Sequence, residues 1–496
     1  MPVSSRCFPS PYERMLNANI ERKSSCTAGD RTYDLRDEST AEVVRACIKR
    51  IEEVNRTLNC FVCDRFELAL QEASDIDALI QSGIKSTDQL HAEKPFLGVP
   101  FTTKDSICVK GLPATCGIYS KRNNIATEDA EVIRLLREKG AVIIGLTNVP
   151  ELCMWWETYN TIYGRTNNPY DTARMVGGSS GGEGALQAAG GSIFGIGSDI
   201  GGSIRMPGYF NGVFGHKATR KTVSNQGNFP PVTHEAEDSC LAGDRTRDPW
   251  IPMGPLTRFA VDLKPILKIL CKNPKDLKLD TPVEVGKLNV YYQVNINAPL
   301  TDAVDFEIEA ALMKVVDYFK LKFNTNAQER NIKLLKQSTN IWFASIATDT
   351  SPVSLILENP NRCKVFGELF KNTFGCSKNT TVPLLLGLFK DIDLNGEEYR
   401  TFKELGERLE SLFKNLLGDD GIFLFPTHPT VRSPAVHQWT FFLCAHLTFA
   451  RTVMENIVRK PTCLRPKKST ACVRHWRLIT YLPIRFKNDH ETDSEI

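Results

Sequence analysis

Residues 422–496 contain no glycine, although glycine makes up about 7% of an ordinary chain. Acidic side chains are missing from Arg459 to Lys487, a stretch that holds nine Lys or Arg. Long apolar runs are missing too: none approaches the 18 residues or so of a bilayer-spanning helix. The best candidate, Trp439 to Ala450, is short and contains His446. The N-terminus, MPVSSRCFPSPYERMLNANIERKSS, lacks the apolar core of a secretory signal. These absences lead us to expect an intracellular protein, cytoplasmic or peripheral on an internal membrane. Net charge is small, +3, which gives no reason to expect a nucleic-acid partner. Cysteine is present but unpatterned: 15 residues, an odd number, scattered through a long chain. A disulfide framework belongs to short secreted domains, so reduced thiols are expected. Cys60-Phe61-Val62-Cys63 stands alone with no second pair, so it reads as two half-buried strand thiols. No metal and no cofactor is expected.

What is there is the composition of a large globular protein, 42% hydrophobic and 24% charged over 496 residues. Ser39-Thr40-Ala41-Glu42 forms a capping box, followed by Val43, Val44, Cys47, Ile48, Ile51 and Val54 at helical spacing. A second amphipathic helix is predicted from Phe66 to Ile80. PFLGVPFTTKDS reads as a buried strand ending at Lys104. EDAEVIRLLREKG followed by AVIIG reads as a helix, a glycine stop and an apolar strand. The alternation repeats around Ala185 to Gly197, which argues an α/β fold with helices on both faces of a sheet. Later helices are predicted over Asp302–Lys320 and Thr401–Leu417, then a strand at GIFLFP. AGDRTYD (28–34) and AGDRTRD (242–248) match at six of seven positions, but their flanks do not repeat, so they read as polar inserts. The expected organisation is a poorly ordered segment 1–38, a main domain 39–430 with an insert at about 231–252, and a basic tail 431–496. The tail's simplest reading is a solvated charged segment, with an anionic membrane surface as the sharper one.

The glycines concentrate in GIGSDIGGSIR (195–205), four in eleven positions, where the backbone must turn sharply or approach a ligand. Such a loop suits a phosphate cradle, a buried strand end, or an oxyanion hole beside Ser203. Gly178-Ser179-Ser180-Gly181-Gly182 also satisfies G-x-S-x-G, which would make Ser180 a nucleophile with His216, His428 or His437 downstream. A strand should precede such an elbow, and NNPYDTARMV is not one. GIGSDIGG misses the dinucleotide fingerprint by one place.

Taken together, VPFTTKDS, GGSSGGEGAL and GSDIGGSIR resemble the amidase signature family, whose hydrolases cut amides with a Ser-(cis-Ser)-Lys triad. NVPELCMWWE, YGRTNNPYD and FPTHPT look particularly like the animal fatty-acid amide hydrolases, especially their second vertebrate form. The resemblance is dense over roughly residues 40–230 and thinner to about 430. It implies a large, mixed, twisted sheet covered by helices on both faces. It implies Ser203 as nucleophile, Ser179 as bridging serine after a cis peptide, and Lys104 as base. It further implies an oxyanion hole from the amides of Ile200, Gly201, Gly202 and Ser203, with Cys153 and Met154 near the substrate. Asp199 and Arg205 flank the nucleophile and are expected to brace its loop as an ion pair. A serine hydroxyl needs a neighbouring base to become a good nucleophile, and a lysine base needs burial. The implied substrate is a small-molecule amide, lipid-like, with Met154, Trp155 and Trp156 offering apolar surface. Peripheral membrane contact through the tail and a homodimer are the further partnerships it allows.

The chain departs from the family pattern after Thr430, where the glycine-free tail stands in place of a Gly-rich strand. Gly208 in RMPGYFNG replaces a small alanine or serine. A catalytically inactive or incomplete member serving as a binding scaffold is therefore the main competing reading, ahead of an α/β-hydrolase using Ser180.

Overall fold

The computed structural model describes residues 39–430, except 220, 230–250, 272–276, 278, 299–301, 348–351, 358–360 and 389–392. The expectations for segment 1–38, the AGDRTRD insert, His437, Trp439–Ala450 and the tail 431–496 lie outside the described residues.

The first described helix, Thr40–Leu58, starts at the predicted capping box: Ser39 accepts from the Glu42 amide and Glu42 accepts from the Ser39 amide. Its apolar stripe, Val44, Cys47 and Ile51, packs with Ala69 and Ala73 of the helix Phe66–Gln81. The strands follow in chain order as β1 (Phe61–Asp64), β2 (Pro100–Lys104), β3 (Val142–Thr147), β4 (Tyr159–Asn160), β5 (Gly164–Arg165), β6 (Phe194–Ser198), β7 (Phe214–Gly215), β8 (Met253–Thr257), β9 (Asn289–Tyr292), β10 (Ala327–Glu329) and β11 (Gly421–Leu424). Six of them form one mixed sheet in the order β1-β3-β2-β6-β8-β7. Its centre, β3-β2-β6, is parallel, and its flanks are antiparallel. A separate parallel sheet runs β10-β9-β11, and β4-β5 form a small antiparallel pair.

Strand residues point alternately to opposite faces. Val142 and Ile144 of β3 therefore join the helices Thr40–Leu58, Phe66–Gln81 and Gly181–Ala188 on one face. Ile143 goes to the other face with Phe101, Phe194, Val132, Leu136, Ile266 and Leu270, under the helices Glu131–Glu138 and Leu263–Leu270. A register irregularity between Phe101 and Thr102 resets the alternation, so Leu146 joins Ile143 rather than Ile144. The central strands are buried on both faces, as parallel strands usually are. The expected mixed α/β fold with helices on both faces is present.

Two helix ends differ from the sequence reading. The helix predicted from Asp302 begins at Phe306, because Asp305 is tied by its amide to the Pro429 carbonyl (2.8 Å). The helix predicted from Thr401 begins four residues earlier, at Glu397, where Glu397 and Glu398 complement the helix N-terminus. Cys60 and Cys63 are both free thiols at β1, and burial pushes Cys63 up to about 11. Among the described residues, no helix is long and apolar enough to cross a membrane.

Candidate active site

Two parallel strand ends meet at one point. β2 ends at Lys104, and β6, paired to it through Thr103 and Ile196, ends at Ser198. The loop 199–204 follows β6, and the segment 177–180 leads into the helix Gly181–Ala188. Ligand sites in open α/β sheets form at such carboxyl ends.

Lys104 is fully buried. Its Nζ donates to Ser179 Oγ (2.8 Å) and to Ser198 Oγ (3.0 Å). Among the described residues it makes no ion pair. The Gly178–Ser179 peptide is cis. Gly178 is required by packing, since a Cβ there would lie 2.3 Å from the Trp155 carbonyl oxygen.

Ser203 retains 6% of its exposure, whereas Ser180 is fully buried. The two loops are joined by a hydrogen bond from the Ser180 amide to the Ser203 carbonyl (3.1 Å). No hydrogen bond links the Ser179 and Ser203 hydroxyls among the described residues. Such catalytic contacts are often long in free enzymes and tighten with substrate. Ser180 Oγ has no hydrogen-bond partner and packs where a Gly197 side chain would be, 2.6 Å from that position. A fully enclosed hydroxyl is poorly placed to attack a substrate. His428, a base that Ser180 would need, bonds Thr430 and packs on Phe210, and burial holds its pKa down to about 4.

Asp199 organises the nucleophile loop. Its Oδ1 accepts from the Gly202 amide (2.8 Å) and Arg205 Nη2 (2.7 Å). Its Oδ2 accepts from the Ile204 amide and Arg205 Nε, both at 2.9 Å. Burial alone would raise its pKa, but Arg205, Lys217 and these donors outweigh it and hold it well below the ordinary value. The amide of Gly202, expected as an oxyanion donor, bonds Asp199. The amides of Ile200, Gly201 and Ser203 make no hydrogen bond among the described residues. Gly202 carries φ of 114°, a conformation side chains resist.

Cys153 and Met154 close the tight turn Glu151–Cys153. Cys153 lies against Ser179 and Ser106. Met154, Trp155, Glu157, Phe366, Leu369 and Phe370 help line a cavity of about 1370 Å³. Lys104, Ser179 and Ser203 are not part of its wall. Trp156 stacks on Trp155, their ring centroids 5.3 Å apart, and belongs to a core with Met206 and Trp342. Trp342 Nε1 donates to the Ile200 carbonyl (3.0 Å), fixing one residue of the loop 199–204.

Sequence reasoning missed Ser198, Ser106 and Glu183. Ser198 was findable, because it ends the strand beside Lys104's strand. Glu183 accepts from Thr102 Oγ1 (2.8 Å) and Thr147 Oγ1 (3.0 Å), tying its helix under β2 and β3. Burial pushes its carboxyl up to about 7. Nothing in its local sequence distinguishes it from a surface acid.

Comparison with known proteins identifies the family. The family model Amidase matches residues 42–375. Fatty-acid amide hydrolase 2 of Homo sapiens is 38% identical over 400 residues, covering 79% of this chain and 73% of the relative. Fatty-acid amide hydrolase 2-A of Danio rerio is 37% identical, covering 86% of this chain and 79% of the relative. A solved fatty acid amide hydrolase superposes with a TM-score of 0.65 at 22% identity, covering 84% of this chain and 69% of that one, a likeness of fold.

Proposed function

We propose, for a chain that belongs to the amidase family of amide-cleaving hydrolases, that Ser203 is the nucleophile and that the substrate is a fatty-acid amide. The observation that carries the reading is the buried Lys104 Nζ, which lies 2.8 Å from Ser179 Oγ at the strand end beside the Ser203 loop. In the neutral form, Lys104 takes the Ser179 hydroxyl proton as Ser179 takes the proton of Ser203. Ser203 Oγ then bonds the amide carbonyl carbon. The developing oxyanion meets the amides of Ile200, Gly201 and Ser203, since Gly202 is committed to Asp199. Returning the proton to the amine lets it leave, and water hydrolyses the acyl-enzyme by the same relay. Residues 39–430 form the catalytic domain in this reading.

The fatty-acyl preference draws support from the relatives' names and from the apolar cavity beside Met154 and Trp155. Substitution tests the assignment. Ser203→Ala is expected to abolish hydrolysis of oleamide, while Ser180→Ala retains much of it. Hydrolysis that survives Ser203→Ala and disappears in Ser180→Ala defeats the proposal.

A further inference from the structure

Two thiols face each other at the edge of the serine site. Cys116 Sγ lies 3.5 Å from Cys153 Sγ, and no other thiol pair among the described residues comes within hydrogen-bonding distance. Their backbones are pinned together, because the Leu152 amide donates to the Cys116 carbonyl (2.9 Å) and the Cys116 amide donates to the Asp105 carbonyl (2.8 Å). Cys116, Leu152 and Cys153 all have left-handed backbones, with φ of 51°, 58° and 54°. Such conformations are unfavourable for these residue types and persist only where the surroundings impose them. They bring the two sulfurs together.

We propose that Cys116 and Cys153 are a modifiable dithiol that closes to a disulfide under peroxide and thereby lowers amide hydrolysis. The chemistry is divided between the two residues by their settings. Cys153 is half-buried and Cys116 fully buried, so an oxidant meets Cys153 first. Burial opposes the Cys153 thiolate, while the neighbouring Cys116, Ser106 and Ser179 favour it. Burial and the neighbouring Cys153 keep Cys116 well above the usual thiol value. The Cys153 thiolate attacks hydrogen peroxide, giving the sulfenic acid and hydroxide. The Cys116 sulfur then attacks the Cys153 sulfur, forming the disulfide and releasing water. Both electrons go to the peroxide.

Closing the bond brings the sulfurs to about 2.05 Å, a movement of roughly 1.5 Å. Ser179, which accepts from Lys104, is among the groups that act on the Cys153 thiol, and the next residue, Met154, lines the cavity. The disulfide therefore draws a neighbour away from the serine relay. The functional half of this inference rests on the proposed serine mechanism; the disulfide itself does not.

The test uses the full chain, reduced and then exposed to hydrogen peroxide. Remaining thiols are alkylated, and digested peptides are analysed by mass spectrometry. A linked Cys116–Cys153 peptide is expected, forming before Cys363 and Cys376, the exposed thiols, are oxidised to sulfinic acid. Oleamide hydrolysis and fluorophosphonate labelling are expected to fall at least tenfold in step with linkage and to return with dithiothreitol. Cys116→Ala, with Cys116→Ser as the alternative if that variant folds poorly, is expected to form no linked peptide, and its unresolved Cys153 is expected to pass on to sulfinic acid with a loss of labelling that dithiothreitol does not restore. Oxidised Cys363 and Cys376 without the linked peptide overturn the site, whatever the enzyme's activity. A linked peptide with undiminished labelling overturns the control of catalysis. A chain that never hydrolyses amides but does form the linkage fails the function and leaves the dithiol standing.

Discussion

Asp199→Asn removes the counter-charge of Arg205 while keeping the size of the side chain. The ion pair is fully buried, with side-chain exposures of 1% for Arg205 and 0% for Asp199. Breaking a buried pair from one side costs roughly 3–5 kcal/mol, because the remaining charge stays out of water without its partner. At about 1.4 kcal/mol per tenfold, that is a hundred- to several-thousand-fold change in the unfolding equilibrium. The amides of Gly202 and Ile204 lose a charged acceptor as well. Urea unfolding at neutral pH, followed by fluorescence, reads the loss. The sign with pH is fixed by the direction of the shift: Asp199's folded pKa is lowered, so its stabilisation is present above the unfolded value of 3.8 and disappears as pH falls. The gap between parent and variant is expected to narrow below about pH 4. Adding Arg205→Met removes the orphaned charge, so the double variant is expected to be more stable than the sum of the single losses implies. A loss below about 1 kcal/mol for Asp199→Asn, the range of exposed pairs, refutes the reasoning, as does strict additivity in the double variant.

Lys104→Ala is expected to lower amide turnover by about 10²–10⁴, the usual worth of a general base; stopped assays on oleamide measure it. Glu183→Gln is expected to stabilise the protein above neutrality by up to roughly 3 kcal/mol, from a carboxyl raised from 4.5 to about 7. A raised acid contributes its stability fully below pH 4.5 and loses it as pH rises toward 7, so the advantage of the variant in thermal melts should grow across that window. For primary fatty amides, kcat/KM is expected to rise with acyl length, each buried methylene adding about 0.8 kcal/mol or roughly fourfold. A flat profile from acetamide to oleamide removes the lipid preference and leaves amide cleavage untouched.

Much of the site's framework was legible because the residues that turn a chain are few and distinctive. The capping box at Ser39, the glycine stop after Glu138 and the strand ending at Lys104 each appear at their read positions. The sheet order β1-β3-β2-β6-β8-β7 was not legible, since periodicity reports which face a residue occupies and not which strand lies beside it. The same limit hid Ser198, whose part depends on β6 lying next to β2. It also hid the Cys116–Cys153 contact, which joins residues 37 positions apart. The commitment of the Gly202 amide was hidden for another reason. Asp199 was read as a partner for Arg205, and a carboxylate with two oxygens has further acceptor positions that sequence does not allocate.

The most direct measurement is the site of acylation. The full chain is treated with a fluorophosphonate, its intact mass recorded, and the modified peptide sequenced by tandem mass spectrometry. One adduct per chain, on Ser203 and dependent on Lys104, is the result expected. An adduct on Ser180, or no adduct in a chain whose circular dichroism is that of a folded α/β protein, contradicts the Ser203–Ser179–Lys104 mechanism.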